Sequence, residues 1–252
     1  MNILLTNDDG FDAPGIRVLS QELQNHGHSV IIVAPLTQQS ATSHSITLFK
    51  PIKIHKIEER IFAISGTPTD CIIMAEQKVP IGAIDLVISG INCGQNMGED
   101  ILYSGTVAAA LEAMFLGFKA IAVSSAAYSD VKYHTAAKAL CAMLDNGIHD
   151  ILEQDEIFNI NVPNVEPAEI KGIKITAVGH RRYDNFVREE IEVDGSRVYF
   201  FGGDLPIWEK RPNSDFLAVN AGYISISPIR PDFTNRSSFV HLENWSTSHY
   251  ED

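Results

Sequence analysis

The chain has 252 residues, 45% of them hydrophobic, enough to bury a sizeable core in one large or two small domains and too apolar for disorder. Its formal net charge of −13 argues against a surface that holds a nucleic-acid polymer by neutralising phosphates. A small anionic substrate remains compatible where a metal or a helix end supplies local positive charge.

In chain order, the opening run "NILLT" reads as a buried strand. It is too short for a signal-peptide core, and no later run reaches the roughly 18 apolar residues of a membrane span, so an unexported cytoplasmic protein without membrane contact is expected. A helix follows from about Gly15 to His26, closed by Gly27, and then the strand "SVIIVAP". A second helix opens at "TPTD", where Thr67 caps, Pro68 suits the first turn and Asp70 completes an approximate capping box. "DLVIS" (85–89) is the next strand, "SGTVAAALEAMFLG" a helix ended by Gly117, "AIAVSS" a strand, about 130–146 a helix, and "IFNINVP" a strand. This alternation is the signature of βαβ units and a parallel sheet covered on both faces.

From about residue 181 the character changes. "FVREEIEVDGSRVYFF" (186–201) is two alternating runs around Asp194 and Gly195, a strong hairpin signal, and its many charges predict a protruding arm. "GYISISPI" (222–229) reads as a further strand, and the last twenty or so residues show little periodicity. The expected organisation is a single domain with an α/β core over about 1–180 and an arm and C-terminal segment over about 181–252.

The polar loops each follow a strand at its C-terminal end, the edge where open α/β sheets bind ligands. "NDDG" sets Asp8 and Asp9 side by side; in strand geometry they would point to opposite faces, and Gly10 makes a departure from that geometry cheap. Either they face water, one of them capping the following turn, or they hold a cation, and carboxylates with a hydroxyl and an amide form a hard-oxygen site for magnesium, manganese or calcium. "SGINCGQNMG" spaces Gly90, Gly94 and Gly98 around Asn92 and Asn96, matching neither a dinucleotide fingerprint nor a P-loop. "YSGTV" stands at a helix start, where the N–H groups near Ser104, Gly105 and Thr106 form either an ordinary N-cap or a phosphate cradle. His180, Arg181 and Arg182 read as solvated surface or as a phosphate contact. Ser40, Ser43 and Ser45 lack a nucleophile elbow. The three cysteines, Cys71, Cys93 and Cys141, fit neither a disulfide framework nor a zinc site and read as reduced thiols.

Together these segments resemble the SurE family. The matching pieces are "ILLTNDDG", "APLTQQSATSHSIT", "GTPTDC", "SGINCGQNMGEDILYSGTVAAALEAM", "NINVP" and "GYISISPI", in family order over roughly residues 2–229. The resemblance implies a three-layer α/β/α, Rossmann-like, mostly parallel sheet with a protruding hairpin and C-terminal extension. It implies a metal-dependent 5'-nucleotidase, a phosphomonoesterase acting on nucleoside 5'-monophosphates, often 3'-monophosphates, and short polyphosphate. One divalent ion per subunit, magnesium or manganese with calcium able to occupy the site, falls on Asp8, Asp9, Ser40 and Asn92. Asn96 and Ser104, Gly105 and Thr106 match the pieces lining the phosphate site, with Asp8 and Asn96 as catalytic residues. Homodimers or homotetramers exchanging C-terminal segments are implied as well. Two departures are Ala41 and Ala113, where many members have Gly. A haloacid-dehalogenase-like phosphatase is a rival whose D-x-D spacing is missing, and a nucleotide-sensing or assembly module is the alternative from another class.

Overall fold

The fold is taken from a computed structural model, which describes residues 1–182, 187–201 and 207–247. The elements run β1 (Asn2–Thr6), α1 (Pro14–Asn25), β2 (Ser29–Pro35), β3 (Ile54–Glu58), β4 (Ile61–Ile64), α2 (Pro68–Gln77), β5 (Leu86–Cys93), α3 (Gly105–Phe115), β6 (Ala120–Ser125), α4 (Tyr133–Asp145) and β7 (Ile157–Val162). They continue with β8 (Ile173–Ile175), β9 (Arg181–Arg182), β10 (Val187–Ile191), β11 (Arg197–Phe201), β12 (Ile207–Trp208), α5 (Asp215–Asn220), β13 (Ile224–Ile229) and α6 (Phe239–Thr247).

Nine strands form one sheet in the order β3-β4-β2-β1-β5-β6-β7-β13-β8. From β4 across to β7 every pairing is parallel; β3 and β13 run antiparallel to β4 and β7. The three-layer, mostly parallel arrangement agrees with the sequence reading. Helices α1 and α4 cover one face, where Ile16, Leu19 and Leu23 at helical spacing meet Ile3, Leu5 and Ile88. Helices α2 and α3 cover the other, with Cys71, Ile72, Val107 and Ala110 against Leu4, Val33 and Val87. Thr67 caps α2 by accepting from Asp70 N–H while the Asp70 carboxylate accepts from Thr67 N–H, the capping box expected at "TPTD".

Several features depart from, extend or bear out the sequence reading. Strand β5 does not stop at Ser89: its pairing with β6 slips and resumes at Asn92 and Cys93, so Asn92 lies inside a strand. The edge pair β3 and β4 was not anticipated. The stretch without periodicity contains α6, nine residues after a 3₁₀ turn over Arg236–Ser238. The hairpin is present as β10 and β11, paired from Val187 with Phe201 to Ile191 with Arg197, and Phe186 lies outside the described residues. Strand β13 returns into the sheet between β7 and β8, so the sheet draws on residues from both sides of position 181. Among the described residues no helix is long and apolar enough to cross a membrane.

Candidate functional site

Strand β1 lies between β2 and β5, so the chain winds outward in opposite directions from it. This is the topological switch point, where the strand ends open a crevice. Thr6 is the register partner of Ser89, which brings the residues after β1 level with the last turn of β5.

The chain leaves β1 through a turn built by Asn7. Its Nδ2 donates to Gly10 O at 2.9 Å and its Oδ1 accepts from Gly10 N–H at 3.1 Å, with Gly10 at a φ of +108° that disfavours any other residue. The turn releases Asp8 and Asp9 from strand alternation. Asp8 is 5% exposed, and its Oδ1 accepts from Thr106 Oγ1 at 2.5 Å. Asp9 Oδ2 accepts from Cys93 N–H at 3.1 Å, next to Asn92. Gly105 closes the arrangement from above: a Cβ there would lie 2.9 Å from Asp8 Cβ and 3.0 Å from Pro68 Cγ, so the first turns of α2 and α3 converge on Asp8. Ser104 spends its hydroxyl on Val107 N–H at 3.1 Å, the plain capping role.

The loop after β2 reaches the same place. Gln39 N–H donates to Asp8 O at 2.7 Å, and Ser43 N–H to Tyr103 O at 3.1 Å. Ser40, next in the chain, accepts from Gln38 Nε2 at 2.9 Å. The loop is tied back by the buried Asp70, which accepts from Thr47 N–H and Oγ1. Asn92 donates from Nδ2 to Gly94 O at 2.8 Å. Asn96 faces inward: its Nδ2 donates to Ser124 Oγ at 2.8 Å, its N–H to Asn161 Oδ1, and its carbonyl accepts from Asn159 and Asn161. These two asparagines on β7 support the site and were missed in the sequence, where "NINVP" shows only a polar alternation inside a buried strand.

Electrostatics set the character of the pair. Burial pushes the Asp8 carboxyl up to about 6; the Thr106 hydroxyl pulls the other way and the Asp9 charge adds to the rise. Burial raises Asp9 too, against the Cys93 N–H. Neither carboxylate has an ion pair among the described residues. Two adjacent carboxylates, Asp8 buried and Asp9 partly so, have no ion pair among the described residues and are hard-oxygen donors that a divalent cation would satisfy; Ser40, exposed, follows the Gln39 bonded to Asp8 O, and Asn92 precedes the Cys93 bonded to Asp9. Among the described residues no group of three or more His, Cys, Asp and Glu could hold a metal. His180 pairs with Glu99, and Arg181 pairs with Asp100 and lies over the Trp208 ring, so both are engaged with the Gly98–Leu102 segment; the Arg182 side chain lies outside the described residues.

Comparison with known proteins gives concordant findings. A family profile described as Survival protein SurE matches residues 3–185. The chain is similar to "5'-nucleotidase SurE" of Mannheimia succiniciproducens, 41% identical over 98% of this chain and 100% of that one. It is similar to the protein of the same name from Haemophilus influenzae, 42% identical over 97% of each chain. Among solved structures it resembles the SurE protein of Aquifex aeolicus, with a TM-score of 0.84 and 34% identity over 97% of this chain and 99% of that one.

Proposed function

The chain belongs to the SurE family, and on that premise we propose that it is a 5'-nucleotidase that needs a divalent metal, held by Asp8, Asp9, Ser40 and Asn92. The observation that carries the metal is the adjacent pair of buried Asp8 and half-buried Asp9, without an ion pair among the described residues and set at the switch point. Such a cation, magnesium or manganese, supplies Lewis acidity toward a phosphoryl oxygen and toward water. The Thr106 hydroxyl holds Asp8 Oδ1 and so orients the carboxylate. The N–H groups of Gly105 and Thr106, orphan donors of the α3 start, receive the equatorial phosphoryl oxygens with the helix dipole behind them. Asn96 donates one Nδ2 proton to Ser124 and keeps a second for substrate.

The proposal extends to nucleoside 3'-monophosphates and short polyphosphate as further substrates, and to work in the cytoplasm. It also extends to a homodimer or homotetramer: Val187, Ile191, Tyr199 and Phe200 on the hairpin and Val240 and Leu242 on α6 expose apolar surface that a second copy would cover.

The test is phosphate release from a panel of nucleoside 5'- and 3'-monophosphates, using protein stripped with chelator and refilled with magnesium, manganese or calcium. Turnover that vanishes with the metal and returns with magnesium or manganese is expected. Folded, metal-loaded protein that binds nucleotide without releasing phosphate would overturn the reading in favour of a sensing module.

A further inference from the structure

Asp215 opens α5 and is fully buried, yet it makes no ion pair among the described residues. Three backbone N–H groups satisfy it instead: Gly98 donates to Oδ2 at 2.9 Å, and Gly179 and Phe216 donate to Oδ1 at 3.0 and 2.7 Å. A buried carboxylate is expensive, and the cap position of α5 is already taken by Ser214, so capping does not account for Asp215. What the carboxylate adds is a link between three segments distant in sequence.

Gly98 is built for that socket. Its φ is +56°, and a Cβ would lie 2.9 Å from the Trp208 ring, which stacks on Phe216 with centroids 4.4 Å apart. The next two residues are held from the same side. Glu99 accepts from Arg181 N–H and pairs with His180, and Asp100 pairs with the Arg181 guanidinium. The 3₁₀ turn over Gly98–Leu102 is joined to its flanks by bonds of 3.2 Å from Asp100 N–H to Met97 O and 3.0 Å from Tyr103 N–H to Asp100 O. Beyond it come Ser104, Gly105 and Thr106, and Thr106 holds Asp8.

We propose that Asp215 is a positioning residue for the hydrolysis: by binding Gly98 and Gly179 together it sets where the Gly98–Leu102 turn delivers the α3 start to Asp8. The inference rests on the reading of the site given above. Asp215 touches none of the proposed metal ligands, so its loss should separate phosphate handling from metal binding.

The experiment uses the full chain with Asp215→Asn. The amide keeps an acceptor for Gly179 and Phe216 but turns an NH₂ group toward Gly98 N–H, donor against donor. Expected are a kcat lower by about 10- to 100-fold, as a sub-ångström misplacement of reacting groups produces, and inhibition by inorganic phosphate weakened by a similar factor. Manganese affinity, measured by calorimetry without substrate, should stay within about twofold. A folded Asp215→Asn protein with wild-type kcat overturns the proposal, as does a variant whose manganese affinity falls together with kcat. If Asp215→Asn does not fold, Gly98→Ala perturbs the same turn from the Trp208 side, and wild-type kcat there overturns it equally. Wild-type protein without metal-dependent phosphate release would instead refute the nucleotidase reading, an outcome distinguishable because it appears before any substitution is made.

Discussion

Replacing Gly105 with alanine sets a favourable local term against an unfavourable contact. In the first turn of α3 alanine is the better helix former, by about 1 kcal/mol. The added methyl, however, falls 2.9 Å from Asp8 Cβ, 3.0 Å from Pro68 Cγ and 3.2 Å from Thr42 Oγ1, where ordinary contact begins at 3.4 Å. Asp8 and α3 must therefore separate by about 0.5 Å or more, and overpacking of this kind costs about 1–3 kcal/mol. The balance is a stability loss of up to about 2 kcal/mol, a Tm decrease below about 8 °C for a domain of this size. Activity should suffer more than stability, because the separation opens between the carboxylate and the helix start proposed to receive the phosphoryl group; kcat/KM falls by about tenfold or more. Scanning calorimetry beside phosphate-release kinetics on one preparation reads both. Wild-type kcat/KM in Gly105→Ala, whatever its Tm, would show that the spacing of Asp8 and α3 does not govern the reaction.

Asp8→Asn should abolish most turnover while stabilising the metal-free protein. The raised carboxyl favours the fold fully below its ordinary 3.8 and loses that contribution as the pH rises through about 6. Metal-free wild-type protein should therefore lose up to about 3 kcal/mol between pH 4 and 7 relative to Asp8→Asn, read by urea denaturation in chelator. Parallel pH profiles for the two proteins would contradict the buried-charge account. Ala41 holds a φ of +57° beside Ser40, a left-handed conformation that costs a side chain about 1–2 kcal/mol. Ala41→Gly should raise Tm by about 2–4 °C, and a lower Tm would mean that the loop does not adopt this turn in solution.

Much of this architecture is written in local pattern, and the exceptions have identifiable causes. The Thr67–Asp70 capping box and the strands "SVIIVAP", "AIAVSS" and "IFNINVP" declare themselves because propensity and burial agree. Strand β3, "IHKIE", is exposed at every position and carries no alternation that a face could impose. Helix α5 is six residues long, under two turns, so no periodicity can establish itself before it ends. At the site, the acidic pair was visible from adjacency plus glycine. The inward turn of Asn96 was not, because Ser124, Asn159 and Asn161 lie 28 to 65 residues away and only the sheet brings them together. Asp215 looks in sequence like any acidic residue opening a helix, and its burial depends on a loop more than a hundred residues earlier.

The placement of β13 between β7 and β8 bears on how the protein is made. Domains begin to fold as they leave the ribosome, N-terminal parts first. Strands β1 to β7 and all four proposed metal ligands emerge early, yet β7 has an unsatisfied edge until Ile224–Ile229 arrives to pair with it. The turn that Asp215 holds likewise stays unanchored until that residue has been synthesised. For the length of that interval the nascent chain is an incomplete sheet with an exposed edge, able to template pairing with another chain. Whatever shields β7 during translation therefore bears on yield, and a codon or truncation that stalls synthesis just before residue 224 prolongs the vulnerable state.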